Sequence, residues 1–334
     1  MSDVDDLFDK KVAAILKLAA DGNLAYVTAL LADTPALANA KGPHPYWGGQ
    51  PYPLQVAAEW GRKEVVELLL DKGADPNLAN PDYDWSPLHL AIHRDHAPAG
   101  HSEIAKLLIA RGATVDIWAA ASMGDIDRVE MLIAENPGLI DAKGPNHANP
   151  LHFASTVEIA ELLLSHDADP DALDIYGKTP AAMAAAYGSR RRDVAKYLME
   201  KTGKSDIFLF SAIGEANGVT QCLDADPSLL NANSTGGETP LNVASLHGQV
   251  GVAKLLLDRG ADPNLKGRIG HGPLHNAARN GHIEVARLLI DRRADINLTD
   301  DNHDATPVGW ASFQGQKAIE QFLRERGGLK ADEM

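Results

Sequence analysis

A single cysteine, Cys222, stands in 334 residues, so no intrachain disulfide can form and no cysteine-rich zinc site can be built. Aromatic residues make up only 5% of the chain, against 45% apolar residues overall. The interior must therefore be filled by Leu, Ala, Ile and Val, which suits thin helical layers better than one thick core. Basic charge is also short: 31 Lys and Arg face 46 Asp and Glu, for a formal charge of −15. Arg190-Arg191-Arg192 is the one dense basic run. Phosphate neutralisation needs clustered cations, so nucleic acid is not an expected partner. No stretch approaches the ~18 consecutive apolar residues of a membrane span. The opening MSDVDDLFDKK is acidic where a secretory leader needs positive charge and then an apolar run. The expectation is a soluble cytoplasmic chain with no membrane contact.

What the chain has instead is repetition. PLQVAAEWGRKEVVELLLDKGADPN (53–77), TPLNVASLHGQVGVAKLLLDRGADPN (239–264) and GPLHNAARNGHIEVARLLIDRRADIN (272–297) are one pattern written three times. SPLHLAIH (86–93) with EIAKLLIARGA (103–113), and TPVGWASFQGQKAIEQFLRERG (306–327), extend it. Leu241 to Leu274 is 33 residues and Leu274 to Val308 is 34. Thr or Ser before Pro predicts the cap of a first helix, with Pro at its first turn, where the missing N–H costs nothing. Gly61, Gly248 and Gly281 supply the left-handed residue that ends it. Val65, Val66, Leu68, Leu69 and Leu70 predict a second helix, and Gly73 and Gly260 its end. No unit can bury its apolar face alone, so neighbours must stack.

These residues resemble the ankyrin-repeat signature, T-P-L-H-x-A followed by G-A-D-x-N, over nearly the whole chain. The resemblance implies an all-α solenoid of stacked helix pairs with short finger turns. Ten units are counted, seven with the signature turn and three without. The three without are 15–31, 116–133 and 206–223, with glycines 22, 124 and 214 standing 102 and then 90 residues apart. They divide one solenoid, 1–334, into sub-modules 1–115, 116–205 and 206–334.

Unit lengths are uneven. From the signature Leu to the second helix the regular units count 10 residues, as in Leu54 to Glu64. Leu88 to Glu103 is 15 and Ala181 to Asp193 is 12, whereas Leu151 to Glu158 is only 7. Three missing residues are about 4.5 Å of helix, so the unit at 147–164 is expected to notch the array.

By resemblance, finger tips and first helices form a concave binding face. The fingers carry Tyr46, Trp47, Tyr52, Tyr83, Trp85, Tyr176, His147, His271 and His303, and aromatic side chains are common binding anchors. His89, His152 and His275 stand at the signature His, where a structural hydrogen bond between turns is expected. Trp118 and Phe208 replace that His in units lacking a finger, and are expected to fill the missing turn. Trp310 is expected to help seal the last unit. His147 occupies a slot filled by Gly177, Gly237 and Gly270 elsewhere, and by Asp84 and Asp304. Positive φ is expected there, and both turn geometry and ligand contact stay open for this histidine.

Catalytic and metal motifs are wanting. Thirteen histidines include the pair His93 and His96, but there is no H-E-x-x-H, phosphate loop or nucleophile elbow. No metal and no cofactor are expected, and no catalytic residue can be named. A His working with Asp82, Asp84, Asp301 or Asp304 is the one acid–base idea left open. The leading expectation is a recognition scaffold holding a protein partner on the concave face. The alternative is a small-molecule pocket, or an enzyme's, lined by Tyr83, Trp85, His89, Trp118, His147 and His152, with His93 on the long loop beside it.

Overall fold

Thr239 shows why each first helix starts where it does. Its hydroxyl accepts the Asn242 N–H at 3.1 Å, and Pro240 follows at the first helical position. Thr306 does the same for Gly309 at 3.2 Å. In two units without a finger, Asp116 and Asp206 take over the cap, accepting from the N–H groups of Ala119 and Leu209. Gly124 (φ 80°) and Gly214 (φ 76°) close those helices in the left-handed conformation.

The computed structural model describes residues 3–46, 48–93, 100–187, 191–234, 236–267 and 270–334, without the side chains of residues 3–5, 93 and 100. Its helices, in order, are α1 (Asp3–Asp21), α2 (Leu24–Asp33), α3 (Pro53–Glu59), α4 (Lys63–Asp71), α5 (Pro87–His93), α6 (Gly100–Ala110), α7 (Ile117–Met123), α8 (Ile126–Glu135), α9 (Val157–Ser165) and α10 (Pro180–Ala186). They continue as α11 (Arg192–Thr202), α12 (Ile207–Ile213), α13 (Ala216–Ala225), α14 (Pro240–Leu246), α15 (Val250–Asp258), α16 (Pro273–Arg279), α17 (Ile283–Asp291), α18 (Pro307–Phe313) and α19 (Lys317–Arg324). Among the described residues there is no strand. Between α8 and α9, a single 3-10 turn, Pro150–Phe153, stands where a first helix should be. Counting that turn, the segments fall into ten pairs.

The chain forms two compact units, Met1–Pro180 and Ala181–Met334. In the first, the inner helices α1, α3, α5 and α7 pack in succession, and the 3-10 turn packs on α7. In the second, α12, α14, α16 and α18 do the same. Each unit has its own apolar core. Leu54 and Leu274 are at most 2% exposed, and burying one such side chain contributes about 2 kcal/mol.

Two sets of polar contacts lock successive pairs. The asparagine of each G-A-D-x-N run reaches the next pair: Asn77 Nδ2 donates to the Gly112 carbonyl and its Oδ1 accepts the Thr114 N–H. Asn39, Asn264 and Asn297 make matching contacts. The second set runs backward, from the residue after a linker glycine to the last carbonyls of the preceding inner helix. Arg62 donates to Ala20 O, Gln249 to Ala212 O and Gln316 to Arg279 O; His101 and His282 sit equally close to Glu59 O and Leu246 O. His101 and His282 are therefore part of the lock.

Candidate functional site

The pair α7–α8 has no finger: only residues 111–116 separate α6 from α7. The gap is spanned by the next finger, Gly144–Asn149. Asn146 and His147 both adopt left-handed backbone (φ 56° and 57°), which bends that finger over the missing one. The Asn146 N–H donates to the Tyr83 carbonyl at 2.9 Å, and its side-chain oxygen accepts Trp85 Nε1–H at 3.0 Å. Its own carbonyl accepts the Ile175 N–H at 3.0 Å. Asn146 thus ties the fingers at 80–85 and 174–178 to its own, a role sequence spacing did not single out. His147 is exposed and its backbone supplies the turn. Asp84 (φ 61°) and Asp304 (φ 51°) share the left-handed slot, as the sequence alignment predicts.

Trp118 fills part of the space below. Its Nε1–H donates to the Ala148 carbonyl at 3.1 Å, and one ring face lies on Gly144, where a Cβ would collide with the indole. Trp85 meets His89 and Phe153 edge-on, with ring centres 6.1 Å apart in each case.

The shortened unit does not leave a notch at its missing helical turn. Pro150, Leu151, His152 and Phe153 are all buried. Ser155 reaches back to the Ala121 carbonyl with both its N–H (3.2 Å) and its hydroxyl (2.8 Å), and so performs the job of the longer linker residues. The open space lies instead at the fingerless pair. A cavity of about 160 Å³ is lined by Asn77, Ala79, Asp84, Ser86, His89, Thr114, Asp116, Trp118 and Pro145. Of the six side chains expected to line a cleft there, His89 and Trp118 do so. Tyr83, Trp85, His147 and His152 do not.

The signature histidines are consumed by structure. His89 Nδ1 accepts the Ser86 N–H, so Nε2 carries the proton and donates to Asp116 Oδ1 at 3.0 Å. Neither nitrogen is left to take a proton from a substrate. His275 repeats the arrangement, accepting from Gly272 N–H and donating to Ala305 O at 3.1 Å. Burial lowers its pKa to about 4. His152 lies between Asn149 Oδ1 (2.6 Å) and the Lys178 carbonyl (3.0 Å), and burial lowers its pKa against the pull of that carbonyl.

A second cluster sits in the C-terminal unit. Asp300, whose side chain is fully buried, accepts Trp310 Nε1–H at 2.7 Å and the N–H groups of Asn302 and His303. Burial alone would raise this carboxyl, but the three donors outweigh it and hold it at about 2. The fixed indole meets His271 (4.8 Å), His303 (5.5 Å) and Phe313 (5.8 Å), with the Arg279 guanidinium 5.4 Å from its centre. Phe313 is 77% exposed and His271 is buried. Burial, and then Arg279, lower the pKa of His271. Arg279, Phe313 and Asp300 went unnoticed in the sequence; Asp300 becomes legible only when Trp310 is seen ten residues on.

The remaining candidates lie apart from these clusters. Tyr46 is held by Lys17 and Asp21 through its hydroxyl and packs on Trp60 at 5.1 Å. Tyr52 caps α3 through its backbone, its N–H donating to Gln55. Tyr176 is exposed at its finger tip. Trp47 and the side chain of His93 lie outside the described residues, as does His96. Among the described residues no group of three or more His, Cys, Asp and Glu could hold a metal ion.

Family models described as ankyrin repeats match residues 15–118, 117–209 and 265–332, and a second such model matches 223–271. The chain belongs to the ankyrin-repeat family. The ankyrin array is similar to the Ankyrin repeat and SAM domain-containing protein 6 of Danio rerio, 27% identical over 222 residues. It is similar also to Transient receptor potential cation channel subfamily A member 1 of Homo sapiens (28% over 209 residues), and to Probable E3 ubiquitin-protein ligase XBOS32 of Oryza sativa subsp. japonica (26% over 249). The matches cover 63%, 63% and 74% of this chain, but only 29%, 15% and 38% of those proteins. Among the described residues no helix is long and apolar enough to cross a membrane.

Proposed function

We propose that this ankyrin array is a recognition scaffold that holds a protein partner on the face formed by its fingers and inner helices, in the cytoplasm. One observation favours it over a metabolite pocket in the irregular region. The cavity in the irregular region measures about 160 Å³, below the roughly 300–1,000 Å³ of small-molecule sites. Exposed aromatic side chains also support the reading: Tyr46, Tyr83 and Tyr176 on fingers of the first unit and, separately, Phe313 at the end of α18 in the second. Large aromatic side chains are frequent energetic anchors of protein interfaces.

Capture from a lysate, followed by mass spectrometry and reconstitution with the purified partner, tests this reading. The expected result is a defined complex weakened at least tenfold by the double change Tyr83→Ala, Tyr176→Ala. These side chains are exposed, so the fold should survive. A thermal-shift screen against metabolites supplies the opposing arm, since a ligand of the native state raises the melting temperature by mass action. A saturable rise with a metabolite, and no partner captured, would overturn the scaffold reading.

A further inference from the structure

The cavity beneath the Asn146 finger has a definite chemistry. Two carboxylates line it, Asp84 and Asp116, and no Lys or Arg is among the lining residues. Asp116 spends Oδ1 on the Ala119 N–H and on His89, and among the described residues its second oxygen has no partner. Among the described residues the Asp84 side chain has no hydrogen-bond or ion-pair partner. Arg128, on the adjacent α8, points its guanidinium at the Val115 carbonyl and the Met131 sulfur. Ser86, Thr114 and Asn77 add polar groups to the wall, and Trp118 adds an indole.

We propose that this cavity is a socket for one arginine side chain of the protein partner. The proposal rests on the scaffold reading and adds the chemistry of the residue recognised. Charge complementarity points to a cation: two carboxylates, neither of them ion-paired with a Lys or Arg among the described residues, share one small space in a chain of net charge −15. The volume admits the head of one side chain and excludes most metabolites. Arginine is favoured over lysine because a flat fork of five donors suits several acceptors, and because guanidinium stacks on aromatic rings. The missing finger is what creates the opening.

The probe is Nα-acetyl-arginine methylamide, titrated into the full chain while the Trp118 indole N–H is followed by NMR, assigned with Trp118→Phe. The neutral citrulline analogue and the lysine analogue serve as comparisons. Asp84→Asn and Asp116→Asn keep the backbone requirements, since Asn tolerates left-handed φ and caps helices. A saturable shift is expected with arginine, at least fivefold weaker with citrulline and at least twofold weaker with lysine. Each variant should weaken it at least threefold. No saturable shift, an equal response to citrulline, or indifference to both variants would overturn the socket. Lysine binding as tightly as arginine would overturn its assignment to guanidinium. A chain that fails these titrations yet still captures a partner loses the socket and keeps the scaffold.

Discussion

Pro150-Leu151-His152 and Pro273-Leu274-His275 begin alike and end differently. The second opens α16, a two-turn helix; the first makes a single 3-10 turn and stops. Yet both histidines reach across to the next finger, His152 to the Lys178 carbonyl and His275 to that of Ala305. Both leucines are buried to the same degree. The backward contact is kept too, by Ser155 in one and His282 in the other. The stack therefore depends on the first turn and the linker residue, and the second helical turn is expendable.

That equivalence can be broken most forcefully at the leucines. Leu151→Ala and Leu274→Ala should each cost about 2–5 kcal/mol, the usual range for emptying a packed site, read from urea unfolding of each variant. A cost below about 1 kcal/mol at Leu151 alone would show the short unit to be loosely held.

The histidines offer the next contrast. His275 is held near pKa 4 by burial, while an unfolded chain binds its proton near 6.5. Between those values the unfolded state carries the extra proton, so stability falls as pH drops through that window and is fully present above it. The loss from pH 7 to pH 5 should be about 2 kcal/mol for His275. The lowered pKa values of His152 and His271 act in the same direction. Replacing His275 by Gln, the residue that serves at position 55, should flatten the slope of the urea midpoint against pH. An unchanged slope would place the pH sensitivity elsewhere.

At the linkers the effects shrink. Gln249→Ala should cost about 1 kcal/mol, one net hydrogen bond. Ser155→Ala should cost less, because the Ser155 N–H still donates to Ala121. A larger loss at Ser155 would mean that the short unit leans on that hydroxyl more than the regular units lean on theirs. Smallest of all, His147→Gly should leave stability unchanged or raise it by up to about 1 kcal/mol, by relieving a left-handed non-glycine residue. A marked fall would show that the imidazole itself holds the finger.

The fold was legible because most units carry their own local rules: a cap, a proline, a glycine stop and an apolar stripe. Pairing and unit count follow from these, even where the helix is cut to one turn. The site was less legible because fingers bring distant segments together. Trp85 and Asn146 touch across 61 residues, and nothing in either stretch announces the other. The location of the opening was only partly legible for a related reason. A shorter unit reads as a gap, but Ser155 and four buried residues close it, while the absent finger near Asp116 leaves a space that only neighbouring chain could reveal.

The backward contacts of the linkers also impose an order in time. A ribosome releases the chain from its N-terminus, so Ala212 O waits 37 residues for Gln249, and Leu246 O waits 36 for His282. Helices such as α12 and α14 would leave the tunnel with a carbonyl still open to solvent, and gain its partner when their successors dock. Synthesis thus proceeds like masonry, each course set by the one laid on it.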